Sequence, residues 1–135
     1  MTNTIDTEMA TSLRNEAAVL SLYDAEQRRD ITAWEPLWSE SGRHTFRFAA
    51  PVEPVVGLEA LVEATKAKFA ERPPYEIHVR TDRLADPTRI LARLGLGEAT
   101  ASGRRVEIWC LFRFDADGLI VEIEEIGDTA PGPLA

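Results

Sequence analysis

From Tyr75 to Gly127 the chain reads as one strand after another, and this limits its fold more than any other feature. Tyr75 to Leu84 alternates, with Tyr75, Ile77, Val79 and Thr81 on one face and Glu76, His78, Arg80 and Asp82 on the other. Asp86-Pro87 makes a turn. Arg89 to Ala101 follows as a strand with apolar residues on both faces, closed by a hairpin turn at Ser102-Gly103. Arg104 to Phe114 is the next strand, Asp115 to Gly118 the next turn, and Leu119 to Gly127 the last strand. Long strands joined by short turns make an antiparallel meander, and such a sheet must cover one face.

The N-terminal half supplies that cover. The apolar stripe Ala18, Val19, Leu22, Tyr23 and Ala25 predicts a helix from about Leu13 to Arg29, capped by Ser12. Thr32 and Glu35 stand at capping-box spacing and predict a short second helix that buries Trp34, Leu37 and Trp38 and ends at Ser41-Gly42. Arg43 to Phe48 alternates as a first strand, with His44, Phe46 and Phe48 on one face. Ala49 to Gly57 reads as a loop. Leu58 to Glu71 is a third helix, with Leu61, Val62, Thr65 and Phe69 on one side and Pro73-Pro74 as its stop. Helices first and a strand meander afterwards is an α+β pattern. The expectation is a single domain over residues 12–128, with loose tails at 1–11 and 129–135.

Charge and cysteine content narrow the partners. The net charge is −8, and the basic residues are scattered among acids, which argues against nucleic acid. No apolar run approaches membrane-spanning length, and the polar start lacks the pattern of a secretory signal. The single cysteine, Cys110, cannot form an internal disulfide, which fits the cytoplasm. The two histidines, His44 and His78, are far apart and stand in no metal-ligand spacing. No glycine-rich phosphate loop is visible, so no cofactor is expected.

A few residues carry candidate chemistry. Glu125 shares a strand face with Val121 and Ile123, and a carboxylate among apolar neighbours suits a general acid or base. The bland alternatives are a structural ion pair, or a register in which Glu125 is exposed and Glu124 points inward. His44 lies on the apolar face of the first strand and is either a proton carrier or a core histidine with one hydrogen bond. Arg93 has the parity of Gly95 and Gly97, which leave space beside it. It would hold a substrate carboxylate or pair with Glu125. Tyr23, Trp38, Phe46, Cys110, Phe112 and Ile123 are expected to contact a ligand from the inner faces. Trp109, with Glu107 and Arg113, falls on the outer sheet face. A tryptophan there suggests a homodimer.

Three stretches resemble a known family. They are Leu37 to Gly42 followed by Val56-Gly57-Leu58-Glu59, Asp86-Pro87 followed by Gly95 to Glu98, and Phe112-Arg113-Phe114 followed by Asp117 to Ile120 and Glu125. Together they are similar to the SnoaL-like proteins of the nuclear transport factor 2-like superfamily, in particular the phenazine-biosynthesis A/B type. The resemblance runs from about residue 13 to 129. It implies a cone of helices over a bent sheet, a pocket between them, and a dimer through the outer sheet face.

The resemblance also implies roles. Glu125 falls where the phenazine-type proteins place a catalytic glutamate and limonene-epoxide hydrolases an aspartate. Arg93 falls near the arginine of the hydrolase site, but the aspartate two residues on is Gly95 here. Tyr23 matches the tyrosine that polarises the carbonyl in ketosteroid isomerases, while Phe46 and Cys110 stand where that site has its aspartates. The expected function is cofactor-independent proton transfer on a small cyclic or polyketide-like carbonyl compound: condensation, cyclisation or isomerisation. The alternatives are a dimeric hydrophobic-ligand-binding module and a small-epoxide hydrolase. Convergence of Glu125, Arg93 and His44 on one open volume would favour the enzyme.

Overall fold

The computed structural model describes residues 4–47, 52–97 and 106–126. Helix α1 spans Thr4–Arg28, α2 Ile31–Trp34 and α3 Leu58–Glu71. The strands are β1 Trp38–Phe46, β2 Val55–Val56, β3 Ile77–Arg83, β4 Arg89–Leu96, β5 Val106–Phe114 and β6 Ile120–Ile126. They form one six-stranded sheet in the order β2-β1-β6-β5-β4-β3. The β3-β4-β5-β6 meander is antiparallel throughout, whereas β1 joins β6 in parallel. The α+β expectation therefore holds, and the helices cover one face of the sheet.

Helix α1 begins at Thr4, well before Leu13, and Ser12 is buried within it rather than capping it. Of its expected stripe, Val19, Leu22, Tyr23 and Ala25 are buried and Ala18 packs partly buried against the core. Asn15, fully buried, donates to the carbonyl of Pro87 and ties the helix to the β3–β4 turn. Arg29 takes a left-handed conformation (φ 57°) and turns the chain at the helix end.

The second helix differs from expectation in its cap and its end. Asp30, not Thr32, accepts from the backbone N–H of Ala33. A 3₁₀ turn at Glu35–Leu37 holds Pro36 in its first positions, where a missing N–H costs nothing. The chain is then extended from Trp38, so Trp38 and Gly42 belong to a strand. Gly57 (φ 93°) accepts the chain reversal into α3, whose bounds match the sequence reading.

The core lies between the helices and the inner sheet face. Ile90, Ala92, Phe112, Phe114, Ile120 and Ile123 meet Val19 and Leu22 there. On β6 the pairing slips: Arg113 faces Glu122 while Phe114 faces Ile120, which leaves Val121 as an extra residue. Ile120 therefore takes the buried place assigned above to Val121. Ile123 and Glu125 keep the inner side. Phe48, Glu98, Asp128, the Ser102-Gly103 turn and the tail from Thr129 lie outside the described residues.

Candidate functional site

A cavity of about 330 Å³ opens between α1, α3 and the sheet. Its apolar wall includes Leu22, Trp34, Trp38, Leu61 and Ile123. Exposed Glu71 and Arg72 mark its mouth. That volume fits a small organic molecule, and a mainly apolar wall with a few polar groups is the usual make-up of such a site.

The polar groups come from four elements. Strand β1 presents His44 and β6 presents Glu125, with His44 Nε2 3.1 Å from Glu125 Oε1. Both are largely buried, at 22% and 18% side-chain exposure. The parallel register makes this contact: Phe46 is opposite Glu125 and His44 opposite Ile123, so the imidazole reaches diagonally to the carboxylate. The His44 ring also stacks on Phe46 at 4.4 Å, which limits its rotation. With the proton on Nε2, the ring donates to the carboxylate and orients it.

Helix α1 contributes Tyr23 and Glu26, and α3 contributes Lys68. Lys68 Nζ donates to Glu26 Oε1 at 2.6 Å. Burial alone would lower the lysine's ionisation. The Glu26 carboxylate outweighs it, with smaller help from Tyr75 and Glu125, so the ammonium is held above its ordinary value. Burial, with Cys110 and Glu26 behind it, pushes the ionisation of the Tyr23 hydroxyl far above the ordinary phenol range. Tyr23 stays a neutral donor. The Cys110 thiol, itself pushed up by burial and by Glu125, lies 4.0 Å from Glu125 Oε1.

Glu125, His44, Tyr23, Trp38, Phe46 and Ile123 all line the cavity. Arg93 does not. It sits on the outer sheet face, opposite Arg80 and Trp109, with its Nε 3.0 Å from Asp82. Strand alternation sends Ala92 and Leu94 inward and leaves Arg93 outside, so it neither pairs with Glu125 nor holds a ligand in the cavity. The likeness to an epoxide-hydrolase site loses its arginine with it. Cys110 and Phe112 are also absent from the cavity wall. At 1% and 0% exposure they are packed beneath it, Phe112 edge-on to Tyr23 and Cys110 behind Glu125.

Glu26 and Lys68 were missed. Their signal was available: Glu26 continues the stripe of Leu22 and Tyr23 on α1, and Lys68 that of Leu61 and Thr65 on α3. A charged residue on an apolar helical stripe at i+3 or i+4 is either a snorkelling side chain or a pocket residue.

The model of the SnoaL-like domain matches residues 19–123, more than half of the chain, ending two residues before Glu125. No curated protein matches the sequence. Among solved structures, a candidate polyketide cyclase from Xanthomonas campestris is similar with TM-score 0.71 and 15% identity, over 87% of this chain and 93% of that one. A Mycobacterium tuberculosis protein solved in complex with estradiol-17β-hemisuccinate aligns with TM-score 0.69 and 18% identity, covering 86% and 95%. A nuclear transport factor 2-like protein of unknown function from Mesorhizobium loti aligns with TM-score 0.70 and 23% identity, covering 87% and 93%. At these identities the shared property is the fold.

Proposed function

Because the chain belongs to the SnoaL-like domain family, we propose that its cavity performs cofactor-independent proton transfer on a small cyclic or polyketide-like carbonyl compound. One observation carries this reading: the His44–Glu125 contact at 3.1 Å on the wall of an otherwise apolar cavity. In the proposed reaction Glu125 takes a proton from the carbon next to a carbonyl and returns it elsewhere on the molecule. Loss of that proton sends the C–H electron pair toward the carbonyl oxygen as an enolate. His44 orients the carboxylate, and the apolar wall keeps water from competing. Isomerisation and ring-closing condensation share this first step. The solved relative with a bound steroid ester supports a hydrophobic ligand of this kind.

The test is exchange of the ligand's acidic C–H with deuterated water, followed by NMR over a panel of cyclic ketones and β-dicarbonyl compounds. Wild type should catalyse exchange and Glu125→Gln should not. A compound that binds the cavity of the wild-type protein yet never exchanges would overturn the catalytic reading in favour of a ligand-binding module.

The proposal includes a homodimer through the outer sheet face. Leu91 lies beside Leu111, and Trp109 beside Ile126, so an apolar centre forms across β4, β5 and β6. Trp109 is 43% exposed and Ile126 40%. Ion pairs ring this centre, Arg113 and Arg43 with Glu122, and Arg93 with Asp82. An apolar centre inside a charged rim is the make-up of a protein interface.

A further inference from the structure

We propose that Lys68 is a second catalytic residue: its ammonium binds the ligand's carbonyl oxygen and holds the negative charge that develops there when Glu125 removes the neighbouring proton. This rests on the proton-transfer reading above and completes it. An enolate needs a group at its oxygen as well as a base at its carbon.

Four observations support the assignment. First, Lys68 lines the same cavity as Glu125 but from the opposite layer, the helix α3 rather than the sheet. A flat ligand between the layers would meet both. Second, among the described residues its ammonium hydrogen-bonds Glu26 alone. A lysine has three N–H donors, so others remain for a ligand oxygen. Third, the group stays charged inside the fold, as the Glu26 contact ensures. A charge developing beside it in an apolar cavity is stabilised far more than in water. Fourth, the other cation on the cavity wall, Arg72, is exposed at the mouth. The titratable groups that line the cavity with Lys68 are Tyr23 and Glu26 from α1, Glu71 at the end of α3 and Arg72 just after it, His44 from β1, Glu125 from β6, and Tyr75. None of the others combines permanent positive charge with burial.

The reaction balances without an added reagent. The C–H bond breaks, its proton goes to a Glu125 oxygen, and its electron pair forms the C=C bond of the enolate. Lys68 keeps its protons and donates a hydrogen bond to the oxygen. The carbonyl π pair moves to the oxygen at the same time. Return of the proton from Glu125 to the same carbon, or to the far end of a C=C conjugated with the enolate where the ligand carries one, re-forms the carbonyl. The ligand class follows: a ketone or β-dicarbonyl compound whose oxygen reaches α3 while its acidic C–H faces β6.

The test uses 4-nitrophenol, whose phenolate oxygen resembles that of an enolate. It is bound to Glu125→Gln protein, in which the amide stands for the base after it has taken its proton. Absorbance separates bound phenolate from bound phenol. With Lys68 present the bound probe should be phenolate at neutral pH. Adding Lys68→Met should raise the pH at which it ionises by about 1–3. Lys68→Arg, which keeps a cation at the site, should retain the phenolate. Where Lys68→Met fails to fold, Lys68→Gln replaces it. Equal spectra with and without Lys68 would overturn this assignment and leave the proton-transfer reading standing. A loss of phenolate in Lys68→Arg as complete as in Lys68→Met would also overturn it, since a cation at that position would then not be what holds the phenolate. No binding to any variant or to wild type would count against the cavity itself, and against both proposals.

Discussion

His44 and Glu125 are 81 residues apart in sequence and 3.1 Å apart in space. The parallel pairing of β1 with β6 makes this possible. A parallel neighbour cannot follow through a tight turn. The chain therefore lays down β1 early, builds α3 and the meander, and brings β6 back alongside it. The contact exists only once the sheet is complete.

Glu125→Gln is expected to abolish proton exchange, a loss of about 100- to 10,000-fold, while the melting temperature stays unchanged or rises. The amide still accepts from His44, and no arginine is left uncompensated, because Arg93 pairs with Asp82 on the far side of the sheet. Thermal denaturation beside an exchange assay checks both halves. A clear fall in melting temperature would make Glu125 part of the scaffold.

The Lys68–Glu26 pair gives a pH dependence of stability. Lys68 is held above its ordinary value of 10.5, so its contribution is fully present below that pH. It is lost as pH rises through the elevated folded value. Lys68→Met should cost about 2 kcal/mol at neutral pH, and the gap to wild type should close in alkali. Denaturant titrations of both proteins across that range measure it. A gap that persists above the folded ionisation would show that packing, not charge, carries the effect.

Trp109→Glu is expected to give monomers in sedimentation, with the fold retained by circular dichroism. The substitution puts a carboxylate at the centre of the outer-face apolar patch, beside Ile126. An unchanged molecular mass would sink the dimer proposal.

Gly42→Ala should destabilise the protein by about 1–3 kcal/mol. A Cβ at this position would stand 2.6 Å from Cε3 of Trp38 and 3.1 Å from Cδ1 of Leu61. Both side chains line the cavity, so ligand affinity should fall together with stability. Calorimetric titration and denaturant unfolding read the two effects; an alanine variant as stable as wild type would mean that Trp38 has room to move.

Local pattern carried much of the fold into view. The period-two alternation of Tyr75 to Thr81 and the bounds of Leu58–Glu71 need only neighbouring residues to be read. Backbone hydrogen bonding and burial of one face impose these periods directly. Glu125 and His44 were also legible, as polar residues on apolar faces. Arg93 was not, because the strand around it is apolar on both faces, and alternation alone does not say which face turns inward. The extra residue at Val121 was hidden for a related reason: a bulge is a property of two paired strands, not of one.

The class of fold, the order of its main elements and the apolar side of most of them were legible in the amino-acid order alone, whereas the short strand Val55–Val56 fell in a segment read as loop. The legible features follow from spacing along one chain segment. Packing in three dimensions settled which polar groups share the cavity. It brought Lys68 to Glu26 and His44 to Glu125, and it sent Arg93 to the opposite face. Such choices depend on how strands pair and how helices lie across them, and on the cost of burying a charge without a partner. That cost is set by residues far away in sequence.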